Sequence, residues 1–259
     1  VQGVEGRAPI IHHPDVKRML LQMRALNEAG RAMSLTTMAA EDRATHHPLS
    51  EIKTQNALRV EVMTPLVKGW CTEMAMEVTS LGVQVHGGMG FIEETGAAQH
   101  MRDARILPIY EGTNGIQALD FIGRKCLRDR GEGIRQLLVD MSQTIETNQT
   151  EPSKPLIAGL QVTLDQCQSA LDHVLAHPQK ASFVAYQFMM LFGNSVAYWQ
   201  LAILGCAAAE KIQSGDQDEF LKQKLATAQF YKTQILPRNQ SHLEAILADS
   251  EFIDNLKLN

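Results

Sequence analysis

Apolar residues recur along this chain at intervals of three and four, and almost nowhere in alternation. Val16, Met19, Leu20, Met23, Leu26 and Met33 share one helical face behind a start at Pro14 and Asp15. Val60, Met63, Val67, Met74, Val78 and Val85 repeat the pattern over 56–85, where Pro65 predicts a kink or an interruption. A shorter helix is expected over 93–107, ended by Pro108. Thr113 is placed to cap the next one, which buries Ile116, Leu119, Ile122 and Leu127. The stretch 142–155, SQTIETNQTEPSKP, is polar, holds two prolines and has no periodicity, so it reads as a linker. Beyond it, an apolar stripe from Leu156 to Leu175 ends at His177 and Pro178, and further helices are expected over 181–214, 218–236 and 243–247. No strand-length run of alternating β-branched residues occurs. The pattern predicts an all-α fold of two helical bundles joined by one linker.

Two places interrupt the helices with backbone freedom. The first is Gln84-Val85-His86-Gly87-Gly88-Met89-Gly90, readable as a helix C-cap with Gly87 and Gly88 left-handed, or as a loop a cofactor can approach. The second is Ile109-Tyr110-Glu111-Gly112-Thr113-Asn114-Gly115. There a carboxylate stands on a short turn between a proline-ended helix and a threonine-capped one. On these residues alone an ordinary solvent-facing Glu is the plainer reading, and a candidate site the alternative, with Gly112 leaving room for a ligand to approach.

Composition excludes several function classes. Acidic residues (29) outnumber basic ones (24) and the two are interleaved, which argues against a nucleic-acid surface. Cys71, Cys126, Cys167 and Cys206 are widely spaced with no CxxC pair. They suggest neither zinc nor disulfides, but reduced thiols in a cytoplasm. The most apolar stretch, 183–209, is broken by Gln187, Asn194, Ser195 and Gln200 and reads as a core helix, so no membrane span is expected. His12-His13 and His46-His47 lack acidic or Cys partners at ligand spacing, so no metal is expected. Trp70, Trp199 and the methionines read as packing. The chain opens on Val1 with no initiator Met, which suggests a processed chain or a fragment.

The span 84–125, QVHGGMGFIEETGAAQHMRDARILPIYEGTNGIQALDFIGRK, changes the grade of this reading, because it closely resembles the acyl-CoA dehydrogenase family. The family's order is kept: a Gln-x-x-Gly-Gly-x-Gly turn, a helix with Met101-Arg102-Asp103, the Tyr110-Glu111-Gly112-Thr113 turn, and a helix with Ile116-Gln117. The resemblance implies a C-terminal four-helix bundle within 1–141. It further implies, over 156–259, the extra helical domain of a bacterial subgroup that includes the methylthiopropanoyl-CoA dehydrogenases. The family desaturates acyl-CoA thioesters at the α,β position with FAD, and in the matching branch Glu111 is the base that removes the α-proton.

The same resemblance assigns neighbouring roles. Gln84, Gly87 and Gly88 match the turn that touches the adenosine diphosphate part of FAD, usually that of a neighbouring subunit. Thr113 matches a residue near the flavin. Gly115 replaces a frequent Gln, leaving a backbone contact from Asn114 or Gly115. Tyr110 and Gly112 flank the acyl-CoA substrate, and the Glu111 amide is a donor to the developing enolate. Arg102 and Asp103 suggest a structural ion pair. A homo-dimer or homo-tetramer and an electron-transfer flavoprotein as acceptor are implied.

The base must be desolvated to gain strength, whereas a helix start at Thr113 favours a charged carboxylate; substrate burial is expected to outweigh this. The family's N-terminal helical and middle β-domains have no counterpart here, and Val1-Gln2-Gly3 matches the chain just after a family Glu-Arg pair. The chain by itself is therefore expected to be catalytically incomplete. Two other readings stay open beside this one: a non-catalytic helical oligomerisation module, and an acyl-CoA oxidase-type relative. A DNA-binding relative would need a basic face that the chain lacks.

Overall fold

The computed structural model describes residue 6 and residues 8–249; Val1-Gln2-Gly3 and the end of the chain lie outside the described residues. Among the described residues the fold is all-α, with no strand. Two long helices, α1 (Pro14–His46) and α2 (Ser50–Val85), form an antiparallel hairpin. The short helices α3 (Gly88–Phe91) and α4 (Ala97–Ala104) fold back against α2. Helix α5 (Asn114–Leu119) runs on into a wider π-helical segment, Asp120–Leu127, and α6 (Glu132–Thr147) follows. Then come α7 (Lys154–Ala176), α8 (Ala181–Gln213), α9 (Glu219–Phe230) and α10 (Arg238–Leu247).

Several sequence expectations differ from the structure in detail; on the helix capped by Thr113, Ile116 (55% exposed) and Leu119 (43%) face outward, and only Ile122 and Leu127 pack on the core. Pro65 does not end α2, which continues through it; Glu61, whose carbonyl the proline ring relinquishes, is an exposed position where water can take the freed acceptor. The helix expected over 93–107 is a 3-10 turn, Glu93–Thr95, followed by α4 alone. Of the stretch read as a linker, 142–147 is the last turn and a half of α6, because Ile145 packs on the core and Thr144 bonds Trp199.

The two halves of the chain share one contiguous apolar core. Its centre is α8, whose middle is buried on all sides: Phe188, Phe192, Val196 and Ala197 are fully enclosed. That helix is long and apolar enough to cross a membrane, yet 89% of its most apolar window is buried in the fold. Phe121, from the first half, packs on Phe188 and Phe192 with ring centroids 5.4 and 5.5 Å apart. Such pairs add about 1 kcal/mol each beyond the area they bury. At Gly193 the α8 backbone comes so close to Trp70 that a Cβ there would sit 2.5 Å from the indole.

A buried polar chain accompanies that contact. Trp70 Nε1 donates to Asn194 Oδ1 (2.7 Å), and the Asn194 amide donates to Asn239 Oδ1 (3.0 Å). Asn239 in turn donates to Thr163 (2.8 Å) and Ser195 (2.9 Å). Four helices are stitched through fully satisfied groups, which fixes register where apolar packing alone would allow sliding. The four cysteines are free thiols, and burial pushes Cys71 up to about 11 and Cys167 up to about 12.

Candidate active site

The Glu111 turn is built from α2. Its backbone reverses through two consecutive residues of positive φ, Glu111 (52°) and Gly112 (84°). For a non-glycine residue that conformation carries strain which the surroundings must hold in place. The clamp is Lys68 on α2. Its ammonium donates to the Gly112 carbonyl (2.7 Å) and to Asn114 Oδ1 (2.9 Å). Asn114 is buried, and its amide donates to the Gly69 carbonyl (3.2 Å), Thr72 Oγ1 (2.9 Å) and Glu73 Oε1 (2.9 Å). The Asn114 backbone amide donates to the Pro108 carbonyl (2.9 Å), closing the turn on itself.

Glu73 also acts on the Tyr186 phenol of α8, in the second half of the chain. Burial first, then the Glu73 charge, push that phenol up to about 12. Burial lowers the Lys68 ammonium, with Glu111 and then Glu73 acting in the opposite direction.

What the clamp leaves free is as telling. Among the described residues the Glu111 carboxylate makes no hydrogen bond or ion pair, and it is exposed. The backbone amides of Glu111, Gly112 and Thr113 are likewise without acceptors, while Thr113 Oγ1 accepts from the Ile116 amide (3.3 Å) and caps α5. Tyr110 is half-exposed beside them, and Gly115 is exposed.

The second turn follows α2 directly. Gly87 takes φ 61° and ψ −145°, a conformation open to glycine and costly for anything else. Gly88, expected to be left-handed too, is not; it starts α3. Gly90 is needed for space, since a Cβ there would collide with the Val83 carbonyl oxygen. Gln84 is exposed and its amide makes no hydrogen bond, and the positions of Gly87 and Gly88 open onto free space. Arg102 pairs with Glu93 through two bonds (2.6 and 3.1 Å) and not with Asp103, so the structural ion pair expected at this step has a different acid.

The candidate residues therefore fall into two groups. Tyr110 to Gly115 hang on α2 at Lys68–Glu73, and Gln84, Gly87 and Gly88 lie at its C-terminus, about 17–24 Å further along the helix. Around both turns stand exposed apolar side chains, among them Phe91 (81% exposed), Ile106, Ile109 and Ile116. Sequence reasoning did not find Lys68, Thr72 or Glu73, whose connection to the turn spans more than forty residues of chain.

Residues 2–127 match the family described as acyl-CoA dehydrogenase, C-terminal domain, and residues 137–254 match acetyl-CoA dehydrogenase C-terminal like. The chain is 48% identical over 244 residues to a 3-methylmercaptopropionyl-CoA dehydrogenase of Ruegeria pomeroyi, covering 90% of this chain and 41% of that protein. It is 30% identical to a broad-specificity linear acyl-CoA dehydrogenase of Mycobacterium tuberculosis, covering 96% of this chain and 43% of the relative. An acyl-CoA dehydrogenase complexed with FAD from Bacillus anthracis shares the fold at a TM-score of 0.69 and 20% identity, over 98% of this chain and 46% of the other. A Caenorhabditis elegans protein solved in complex with C11-CoA aligns equally well, at 0.69 and 18% identity, over 96% and 42%. The chain belongs to the acyl-CoA dehydrogenase family and corresponds to its C-terminal helical domains. It spans less than half the length of these relatives.

Proposed function

We propose that this chain supplies the catalytic base and part of the cofactor edge of an FAD-dependent acyl-CoA dehydrogenase that desaturates a thioester at the α,β position. One observation carries the reading. An unengaged carboxylate and three unengaged amides share a strained turn that is clamped from behind. The clamp fixes the backbone beneath Glu111 while leaving its side chain free to meet a ligand.

Glu111 takes the substrate's α-proton on its carboxylate, and its own N–H donates to the thioester oxygen as enolate charge develops. Tyr110 and Gly112 border the acyl chain on either side of the base. FAD, when bound, accepts the β-hydrogen as hydride. The residues at hand suit such a group. Gln84 offers a free amide, Gly87 and Gly88 leave their backbone uncovered for a phosphate-bearing ligand, and Thr113 to Gly115 present backbone near the base. If the two sets contact two different FAD molecules, as the family resemblance implies, the enzyme is a homo-dimer or homo-tetramer. The exposed apolar residues around both turns are what such an assembly would cover. Electrons would leave to an electron-transfer flavoprotein, in a cytoplasmic enzyme whose thiols stay reduced.

Changing Glu111 to Gln in the complete enzyme is expected to lower turnover with acyl-CoA by about a thousandfold. Bound flavin and its absorbance should be retained. Turnover within a few-fold of the parent would remove Glu111 from the mechanism.

A further inference from the structure

Between α1, α2, α6 and α8, well away from the Glu111 turn, lies a cavity of about 450 Å³, within the range of small-molecule sites. Its lining is unlike the apolar core beneath it. Arg43 from α1 and Arg59 from α2 both face it, with Asp140 and Gln136 from α6 and Trp199 and Gln200 from α8. Arg59 is already committed: it pairs with Asp140 and lies over the Trp199 ring, 5.8 Å from its centroid. Gln136 is committed too, donating to Asp140 (3.3 Å). Arg43 has no ion pair and no side-chain hydrogen bond among the described residues.

Gln200 is the telling residue. It is only 8% exposed, it lines the cavity, and, unlike the buried Asn194 and Ser195 of the same helix, its side chain has no hydrogen-bond partner. Burial, and after it repulsion from Arg43, lower the Arg59 guanidinium, so the two arginines sense each other. With Asp140 counted, the lining carries one net positive charge. That balance suits a monoanion and disfavours a dianion such as phosphate.

We propose that this cavity binds the carboxylate of a small organic molecule, with Arg43 as the charged anchor and Gln200 as the neutral hydrogen-bonding partner. Arg43 offers a planar fork matched to a carboxylate. The guanidinium of Arg59 and the Trp199 edge form the wall against which the organic part rests. Nothing in this assignment depends on the chemistry at Glu111.

The test titrates the complete enzyme with sodium benzoate by calorimetry, with sodium phosphate and sodium chloride at matched ionic strength as comparators. Saturable one-to-one heat with benzoate is expected, with little from phosphate and none from chloride. Arg43→Gln should weaken benzoate binding by about tenfold, Arg43→Lys should restore part of it, and Gln200→Leu should weaken it about threefold. Each variant is checked by its thermal melt; Arg43 is exposed, so its substitution leaves the fold intact. Equal heats in the parent and Arg43→Gln, or a preference for phosphate, would overturn the proposal. So would self-association that Arg43→Gln abolishes in the absence of any benzoate heat, which would make this face a protein contact.

Discussion

The two glycine-bearing turns solve the same problem by opposite means. The turn at 84–90 is held locally: a glycine in a conformation few residues share, another pressed on the Val83 carbonyl, and short bonds from His86 to the Gly82 carbonyl and from Thr95 to the Met89 carbonyl. Gln84 and Met89 are left out in solvent. The Glu111 turn is held from outside by Lys68, Thr72 and Glu73 through one buried asparagine, and its own backbone amides are left free. The first design gives a surface with no side chains in the way, suited to a ligand that must lie on the backbone. The second fixes the backbone that carries the carboxylate, through bonds that do not involve the carboxylate itself. A base held by its own hydrogen bonds would be weakened by them; this one is held by its neighbours'.

The largest effect should come from Gly90→Ala. The added methyl meets a backbone oxygen, which cannot rotate away, so α3 must shift at a cost of about 3 kcal/mol, the upper end of overpacking. Amide hydrogen exchange should accelerate over 84–91 and stay unchanged over 109–117. Faster exchange in both turns would mean that they are coupled and that the contrast drawn above is false.

Asn114→Ala is the counterpart and should cost about 2 kcal/mol. It removes three donated bonds and the one accepted from Lys68, but Lys68 and Thr72 each keep another partner. Exchange should now quicken over 109–117 and not over 84–91. In the complete enzyme the same change is expected to lower kcat while leaving bound flavin in place, because Glu111 loses its fixed direction and the adenosine diphosphate turn is untouched. An unchanged kcat would show that the clamp is only structural.

These two positions also mark how far the sequence could be read. The helices were visible because burial of one face imposes its period on the residues, and the Thr113 cap because its chemistry is local. Gly90 was visible as a turn glycine, although its reason for being glycine, contact with Val83, needs coordinates. Asn114 beside Gly115 looks like an ordinary turn pair, and nothing in the sequence marks it as buried. Lys68 and Glu73 were hidden inside a helix whose apolar positions carried all the signal. The tail of α6 looked like linker because it is polar on three sides, with only Ile145 and the Trp199 contact holding it down. Local rules show where a turn lies; what clamps it is a long-range fact.

The smallest effect expected is a difference in alkaline stability that only the clamped turn can produce. Burial, then the charge and hydrogen bond of Glu73, push the Tyr186 phenol up to about 12 from an ordinary value of 10.0. The folded chain thus keeps a proton that the unfolded chain releases. This contribution is fully present below pH 10 and is lost as pH rises through about 12. Tyr186→Phe removes the ionisation together with the link to Glu73. The melting temperature of the parent should therefore fall more steeply between pH 10 and 12 than that of the variant, by a few degrees at most, because Tyr186 is partly exposed. Tyr198 and Tyr231, both buried and also raised, are common to the two proteins, so the difference between the curves isolates Tyr186. Gly87 and Gly90 offer no titrating partner to mimic it. Parallel curves would mean that the Glu73 link adds nothing to the clamp and that Lys68 and Asn114 hold the base alone.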